Sequence, residues 1–239
     1  MDFFATAFGE TMIIHRLVSK LPDRYRIPLI RARHSARIRK GTFVSDEPDF
    51  ELLDTFVSKG DCAIDIGANN GIYTIKLSRL VGETGRVFAF EPVPESFATL
   101  TANVSCLPYE NVTLINAAVS DCFGQFEINI PSAKSGERLL GWASLDKHEV
   151  PGALAETKRI GVFVMPLDSL TFPGQIRLIK MDVEGHDIPA LKGMTRTLAE
   201  HSPILIIEAW SDAVLEFLET LGYKWEKLAD SPNYIFRRQ

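Results

Sequence analysis

The chain has 239 residues, 46% hydrophobic and 24% charged, which suits one α/β domain with a sizeable core and excludes a disordered or fibrous chain. Its net charge of −5 conceals an asymmetry, because residues 1–44 carry nine Lys/Arg against three Asp/Glu and the rest seventeen against twenty-eight. No run reaches the roughly 18 apolar residues that span a bilayer.

From the N-terminus, residues 2–21 place Phe4, Phe8, Met12 and His15 at helical spacing, with Phe3, Ala7, Ile14 and Leu17 alongside. This predicts a helix with a broad apolar stripe, packed on the domain or on a second subunit of an oligomer. A membrane-surface helix is the alternative, disfavoured by a polar face poor in Lys/Arg. Asp2 and Glu10 inside the apolar stretch argue against a secretory signal. Residues 22–40 then gather Arg24, Arg26, Arg31, Arg33, Arg37, Arg39 and Lys40. Such a run is a solvated face, or a basic rim for a phosphorylated or carboxylated substrate or an anionic lipid surface. Nucleic acid is disfavoured, since aromatics are not interleaved with the arginines and the whole chain is acidic. Residues 1–42 therefore read as a helical, basic extension and 43–239 as the main domain, in which Pro48 opens a helix ending near Ser58.

The domain is organised around residues 63–71, Ala-Ile-Asp-Ile-Gly-Ala-Asn-Asn-Gly. A short apolar strand ends in an acid and a glycine turn, and residues 72–81 follow as a helix, so N–H groups at the helix start floor a ligand pocket. Cys62 opens the strand as a small core hydrophobe. Together with Cys106 and Cys122 it has no metal spacing, and three cysteines cannot all pair, so a reducing compartment, the cytoplasm, is expected. The next strand, residues 86–90, ends in Glu91, where an acid in a βαβ unit holds a ribose diol. A dinucleotide fingerprint would want glycines where Asn69 and Ile72 stand, and the Gly-Lys-Ser/Thr of a P-loop is absent. Asp65 would repel a pyrophosphate but suits an amino group. S-adenosylmethionine has that amino group, a ribose and no phosphate, so it fits best. An ordinary strand–turn–helix corner is the alternative for the turn alone.

Beyond Glu91, Pro94 starts a helix to about Ser105, and residues 112–115 form a third strand. Asn116 and Ala117 at its end are small enough for an adenine ring to slide in flat. Residues 118–131 alternate around Gly124 as a β-hairpin or extended excursion. Residues 132–159 lack periodicity and suit a substrate lid carrying Trp142, Asp146 and His148. Strands over 160–165, 176–181 and 203–207 follow, with one helix over 188–198 between the last two. A helix stopping at Gly222 and a terminal antiparallel pair, 223–228 and 233–237, complete an α/β, doubly wound, seven-stranded, mostly parallel sheet.

Three runs, Asp65-Ile-Gly-Ala-Asn-Asn-Gly-Ile-Tyr-Thr74, Phe88-Ala-Phe-Glu-Pro92 and Ile179-Lys-Met-Asp-Val-Glu-Gly185, occur in that order. Together they resemble the FkbM family of S-adenosylmethionine-dependent methyltransferases over residues 43–210. The resemblance implies a Rossmann-like class I methyltransferase fold and O-methylation of a hydroxyl on a sugar, glycan precursor or polyketide-like metabolite. It implies donor contacts from Asp65, Gly67, Ala68, Asn69, Gly71 and Tyr73, and from Glu91, Pro92, Asn116, Ala117 and Asp182. It also places Glu47 near the methionine end of the donor, although the charge preference of a helix N-terminus explains Glu47 equally well.

Methyl transfer is an in-line displacement, and orientation alone supplies roughly 7–11 kcal/mol. A base for an alcohol nucleophile adds about 10²–10⁴-fold. Asp182 is expected at the reacting centre. Lys180 shares its strand face and holds it ionised or orients the hydroxyl, while Glu184 or His186 is the second proton carrier or substrate contact. A structural Lys180–Asp182 ion pair is the alternative. No metal is expected, because Ala209 follows Glu208 where a third ligand would stand. Two rivals are a nucleic-acid or protein methyltransferase docking through residues 24–40, and a non-catalytic module retaining the cofactor fold.

Overall fold

The computed structural model describes residues 23–132, 140–145 and 157–238. The helix expected over residues 2–21, and Asp146 and His148 of the expected lid, lie outside the described residues. The chain divides into two compact units, one ending at Phe43 and one starting at Val44.

In the first unit, α1 (Asp23–Lys40) contains Pro28, which has no amide to donate to the helix. Arg24, Arg33, Arg39 and Lys40 are exposed along it. The chain then folds back: the Arg37 guanidinium donates twice to the Thr42 carbonyl, at 3.0 and 2.8 Å, and His34 packs on Phe43 at 4.9 Å. No helix of the described residues is long and apolar enough to cross a membrane.

The second unit is built on a seven-stranded sheet ordered β3-β2-β1-β7-β8-β10-β9. Its strands are β1 (Cys62–Ile66), β2 (Arg86–Phe90), β3 (Val112–Ile115), β7 (Ile176–Met181), β8 (Ile204–Glu208), β9 (Tyr223–Lys227) and β10 (Asn233–Arg238). The first five are mutually parallel, and β10 runs antiparallel to both β8 and β9. Helices α2 (Pro48–Phe56), α3 (Ile72–Val81), α4 (Pro94–Val104), α5 (Asp187–Lys192), α6 (Thr195–His201) and α7 (Asp212–Thr220) cover it.

Side chains alternate across each strand, so consecutive residues feed two cores. Ala63, Val87, Leu178, Ile206 and Ile235 meet Phe50, Leu53, Leu77 and Val81 of α2 and α3. Ile64, Phe90, Ile179, Leu205 and Phe236 meet Leu191, Leu198, Val214 and Leu218 of α5, α6 and α7. Asp65 shares the parity of Ala63, and Lys180 that of Leu178, which puts both on the α2–α3 face.

Of the two forms expected for residues 118–131, a hairpin or an extended excursion, the structure has the second, and the two strands there do not pair with each other. Instead β4 (Ala118–Val119) lies parallel and β5 (Gly124–Pro131) antiparallel to β6 (Thr157–Met165), in the order β4-β6-β5. A two-residue β4 has too few ladder bonds to hold β5, whereas β6 matches β5 over its full length. The helix expected over 188–198 is two helices, interrupted at Gly193 and Met194.

Candidate active site

The strand order reverses direction between β1 and β7, and in open α/β sheets the crevice outside those carboxyl ends takes the ligand. β1 brings Asp65 and the glycine turn there, β2 brings Glu91, β3 brings Asn116, and β7 brings Lys180 and Asp182. The two loops press together, since the Asp182 amide donates to the Ile66 carbonyl at 2.9 Å. Gly67 has φ +82°, and a Cβ on it would stand 1.8 Å from the Asp182 carbonyl oxygen. Only glycine fits there.

Two cavities open on this edge. One is lined by Glu91, Pro92, Val93, Ala117, Glu184 and His186 among others; the second by Ser45, Asp65, Ala68, Asn70, Tyr73 and Lys180 among others. Gly67, Asn69 and Asp182 line both. Asp182 thus stands at their junction, and its Oδ1 is buried without a hydrogen-bond partner among the described residues.

The Glu91 carboxylate accepts from the amides of Asn69 and Val93, both at 2.8 Å. Burial raises its pKa to about 7 against the lowering effect of those amides. Asn116 lines neither cavity but braces the same loop, its Nδ2 donating to the carbonyls of Glu91 and Pro92 at 2.7 and 3.1 Å. Asp65 is buried beneath the turn and accepts from the Thr74 hydroxyl. Burial raises its pKa to about 6, while Thr74 and Lys180 pull it down. Gly71 lines neither cavity; it is the N-cap of α3.

The crevice around Asp182 is crowded with acids. Glu184 is pushed up to about 8 by burial and then by Asp182, Glu208 and Asp187. Glu208 is pushed to about 7 by burial and Asp182, with Lys180 opposing. His186 is buried with its Nε2 3.0 Å from the Ser120 hydroxyl, and the Ser144 hydroxyl donates to the Glu184 carbonyl at 2.6 Å. Ser144 belongs to the described part of the expected lid.

Lys180 does not pair with Asp182: no ion pair joins them. Its Nζ donates to Asn233 Oδ1 at 3.2 Å and lies 5.1 Å from the Tyr73 ring centre. Lys180 sits inside the sheet, whereas Asp182 is one residue beyond it, where the chain is turning. Glu47 stands near enough for its charge to act on Tyr73 and Glu208. It is exposed, lines neither cavity, and its Oε2 stands 3.5 Å from Ser231 Oγ. Two residues later Asp49 is fully buried and accepts from Asn233 Nδ2 at 2.7 Å. Asp49, Asn233, Ser120 and Ser144 stand outside the motifs and carry no sequence signal beyond being polar.

A doubly wound sheet of this strand order, with a glycine turn after β1, an acid after β2 and an acid after β7, defines a Rossmann-like methyltransferase fold. A crystal structure of methyltransferase FkbM from Methylobacillus flagellatus superposes with a TM-score of 0.53 at 21% identity, covering 75% of this chain and 44% of that one. The model of the methyltransferase FkbM domain matches residues 65–225, and the chain belongs to that family. Among curated proteins, the hexuronic acid methyltransferase AglP of Haloferax volcanii is 26% identical over 160 residues, 65% of this chain and 59% of that protein. A protein-L-isoaspartate O-methyltransferase of Ignicoccus hospitalis is 25% identical over 111 residues, 46% of this chain and 48% of that protein. The chain thus spans about half to three-fifths of the length of these relatives.

The methyl donor of the family is S-adenosylmethionine, and the residues present fit it. Glu91 keeps lone pairs for a ribose diol after accepting two amides. Pro92, Val93 and Ala117 offer flat, small walls for adenine. Asp65 matches an amino group, and the orphaned Asp182 Oδ1 faces the junction where a cation or hydroxyl would complete it.

Proposed function

We propose that the chain is an O-methyltransferase acting on a hydroxyl of a sugar, a glycan precursor or a similarly hydroxylated metabolite. The observation that carries this is the position of Asp182 on both cavities, one suited to a nucleoside and the other to an amino acid. The sugar-directed name of the archaeal relative supports the acceptor class. When bound, the donor supplies a methyl group already activated on a sulfonium.

The chain's own residues then bind and orient. Glu91 holds the ribose, Asp65 the amino group, and Asp182 receives the acceptor's hydroxyl hydrogen and aligns its oxygen. Glu184, its pKa raised to about 8, takes that proton on from Asp182, and His186, braced by Ser120, shapes the acceptor wall. The test is transfer of labelled methyl to a panel of sugars and uronic acids. Asp182→Asn is expected to bind S-adenosylhomocysteine within about threefold of wild type yet transfer methyl about 10²-fold more slowly. Wild-type turnover in that variant would remove Asp182 from the chemistry, and no turnover on any hydroxyl would overturn the acceptor class.

A second reading is favoured by the exposed cations of α1, Arg24, Arg33, Arg39 and Lys40, which suit a nucleic-acid acceptor. It predicts a salt-sensitive RNA or DNA mobility shift that charge reversal at Arg24, Arg33 and Arg39 reduces. The absence of cysteine pairs suits a reducing compartment, and we place the protein in the cytoplasm on that ground.

A further inference from the structure

Residues 132–159 suit a substrate lid by their sequence, and the described part of that stretch, residues 140–145, shows what it covers. This strap has one turn of 3₁₀ helix, Leu140–Trp142, yet it is fastened at several places. The Ser144 backbone pairs with Asn129 of β5 in both directions, its amide donating at 3.0 Å and its carbonyl accepting at 2.8 Å. The Ser144 hydroxyl donates to the Glu184 carbonyl, on the turn after β7, at 2.6 Å. Ser144 itself is 3% exposed. Leu140, Ala143 and Leu145 pack against the cluster of Val93, Ile128 and Val162. A Cβ on Gly141 would come within 3.4 Å of Asn69 Nδ2, so the strap also lies against the glycine turn.

Leu140, Gly141, Ala143 and Leu145 line the first cavity together with Pro92, Val93 and Ala117. None of these strap residues has a polar side chain, and the three that have side chains are half-buried, leaving apolar surface for a ligand to cover. A sugar's hydroxyls would lose water against such a wall with nothing to replace it, whereas the face of a purine gains by being covered. Ser144 lines neither cavity, so whatever it does for a ligand it does through its neighbours.

We infer that residues 140–145 are a roof over the donor's nucleoside: Leu140, Ala143 and Leu145 cover it, and Ser144 is the positioning residue that holds them there by clasping the Glu184 turn. This rests on the first cavity being the donor's seat. It turns the expected substrate lid into a donor-binding element, and it adds a wall to the nucleoside site beyond those that follow β2 and β3.

Calorimetry tests it with S-adenosylhomocysteine and 5′-methylthioadenosine, which lacks the amino-acid end, at a temperature where circular dichroism shows each protein folded. Losing one buried hydrogen bond corresponds to about three- to tenfold in an equilibrium constant. A roof released by that factor raises the apparent Kd accordingly. Ser144→Ala is therefore expected to weaken both ligands about three- to tenfold, and equally, since the roof covers the part they share. Leu140→Ala keeps the clasp and removes apolar cover, and should weaken both about threefold or more. A merely structural role lowers the unfolding midpoint and leaves both Kd values in place. Unchanged affinity in Leu140→Ala overturns the inference even where Ser144→Ala does not fold. So does a loss in Ser144→Ala confined to S-adenosylhomocysteine, or a wild type that binds S-adenosylhomocysteine but not 5′-methylthioadenosine. A wild type that binds neither ligand removes the donor's seat, and the roof with it. One that binds both, with no change in either variant, leaves the methyltransferase reading standing and fells the roof alone.

Discussion

Glu184 shows how one residue carries a cost for the sake of the site. It has φ +49°, a conformation disfavoured for a side chain of its size, and its carboxyl sits among three other acids. Its pKa near 8 in the fold, against an ordinary 4.5, means the folded protein holds this proton more tightly than the unfolded chain between those values. Stability therefore falls as pH rises from about 4.5 to 8, the reverse of a salt-bridged carboxylate. Glu184→Gln removes the charge and is expected to raise Tm at pH 8 by roughly 2–4 °C, a gain of about 1 kcal/mol after discounting for solvent screening. At pH 5 the gain should vanish, which thermal unfolding at the two pH values checks. Methyl transfer in wild type should rise with pH through about 8 and flatten in the variant.

At the scale of elements, the break between α5 and α6 has a use. A Cβ on Gly193 would stand 1.9 Å from the Ser120 carbonyl oxygen, so glycine lets the α5 terminus press on the loop after β4. That loop carries the Ser120 hydroxyl that braces His186. Gly193→Ala is expected to destabilise by about 1–3 kcal/mol through overpacking, measured as a lower urea midpoint with an unchanged m-value. The interruption was not legible in Leu191-Lys-Gly-Met194, because apolar spacing carries across it and the reason for it lies 73 positions earlier. The β1 turn, by contrast, was legible, since strand, turn and helix N-terminus are local and glycine is required by backbone geometry.

At the scale of the molecule, every residue assigned to donor binding belongs to the unit starting at Val44, and the family match begins at residue 65. A fragment of residues 44–239 is therefore expected to bind S-adenosylhomocysteine within about threefold of the whole chain. A loss beyond tenfold by calorimetry would place part of the donor site in the first unit. By itself the sequence determined the parallel sheet with its antiparallel close, the glycine turn and the acids after β1, β2 and β7, because these follow from short-range periodicity and from strand ends that the fold class aligns. Only the tertiary structure decided that β4 and β5 both join β6, that Glu47 stays exposed while Asp49 is buried, and that Lys180 faces Asn233 and Tyr73 instead of Asp182. Those outcomes depend on which distant strand offers the better ladder and which side of the sheet has room for a charge, quantities that no local run of residues encodes.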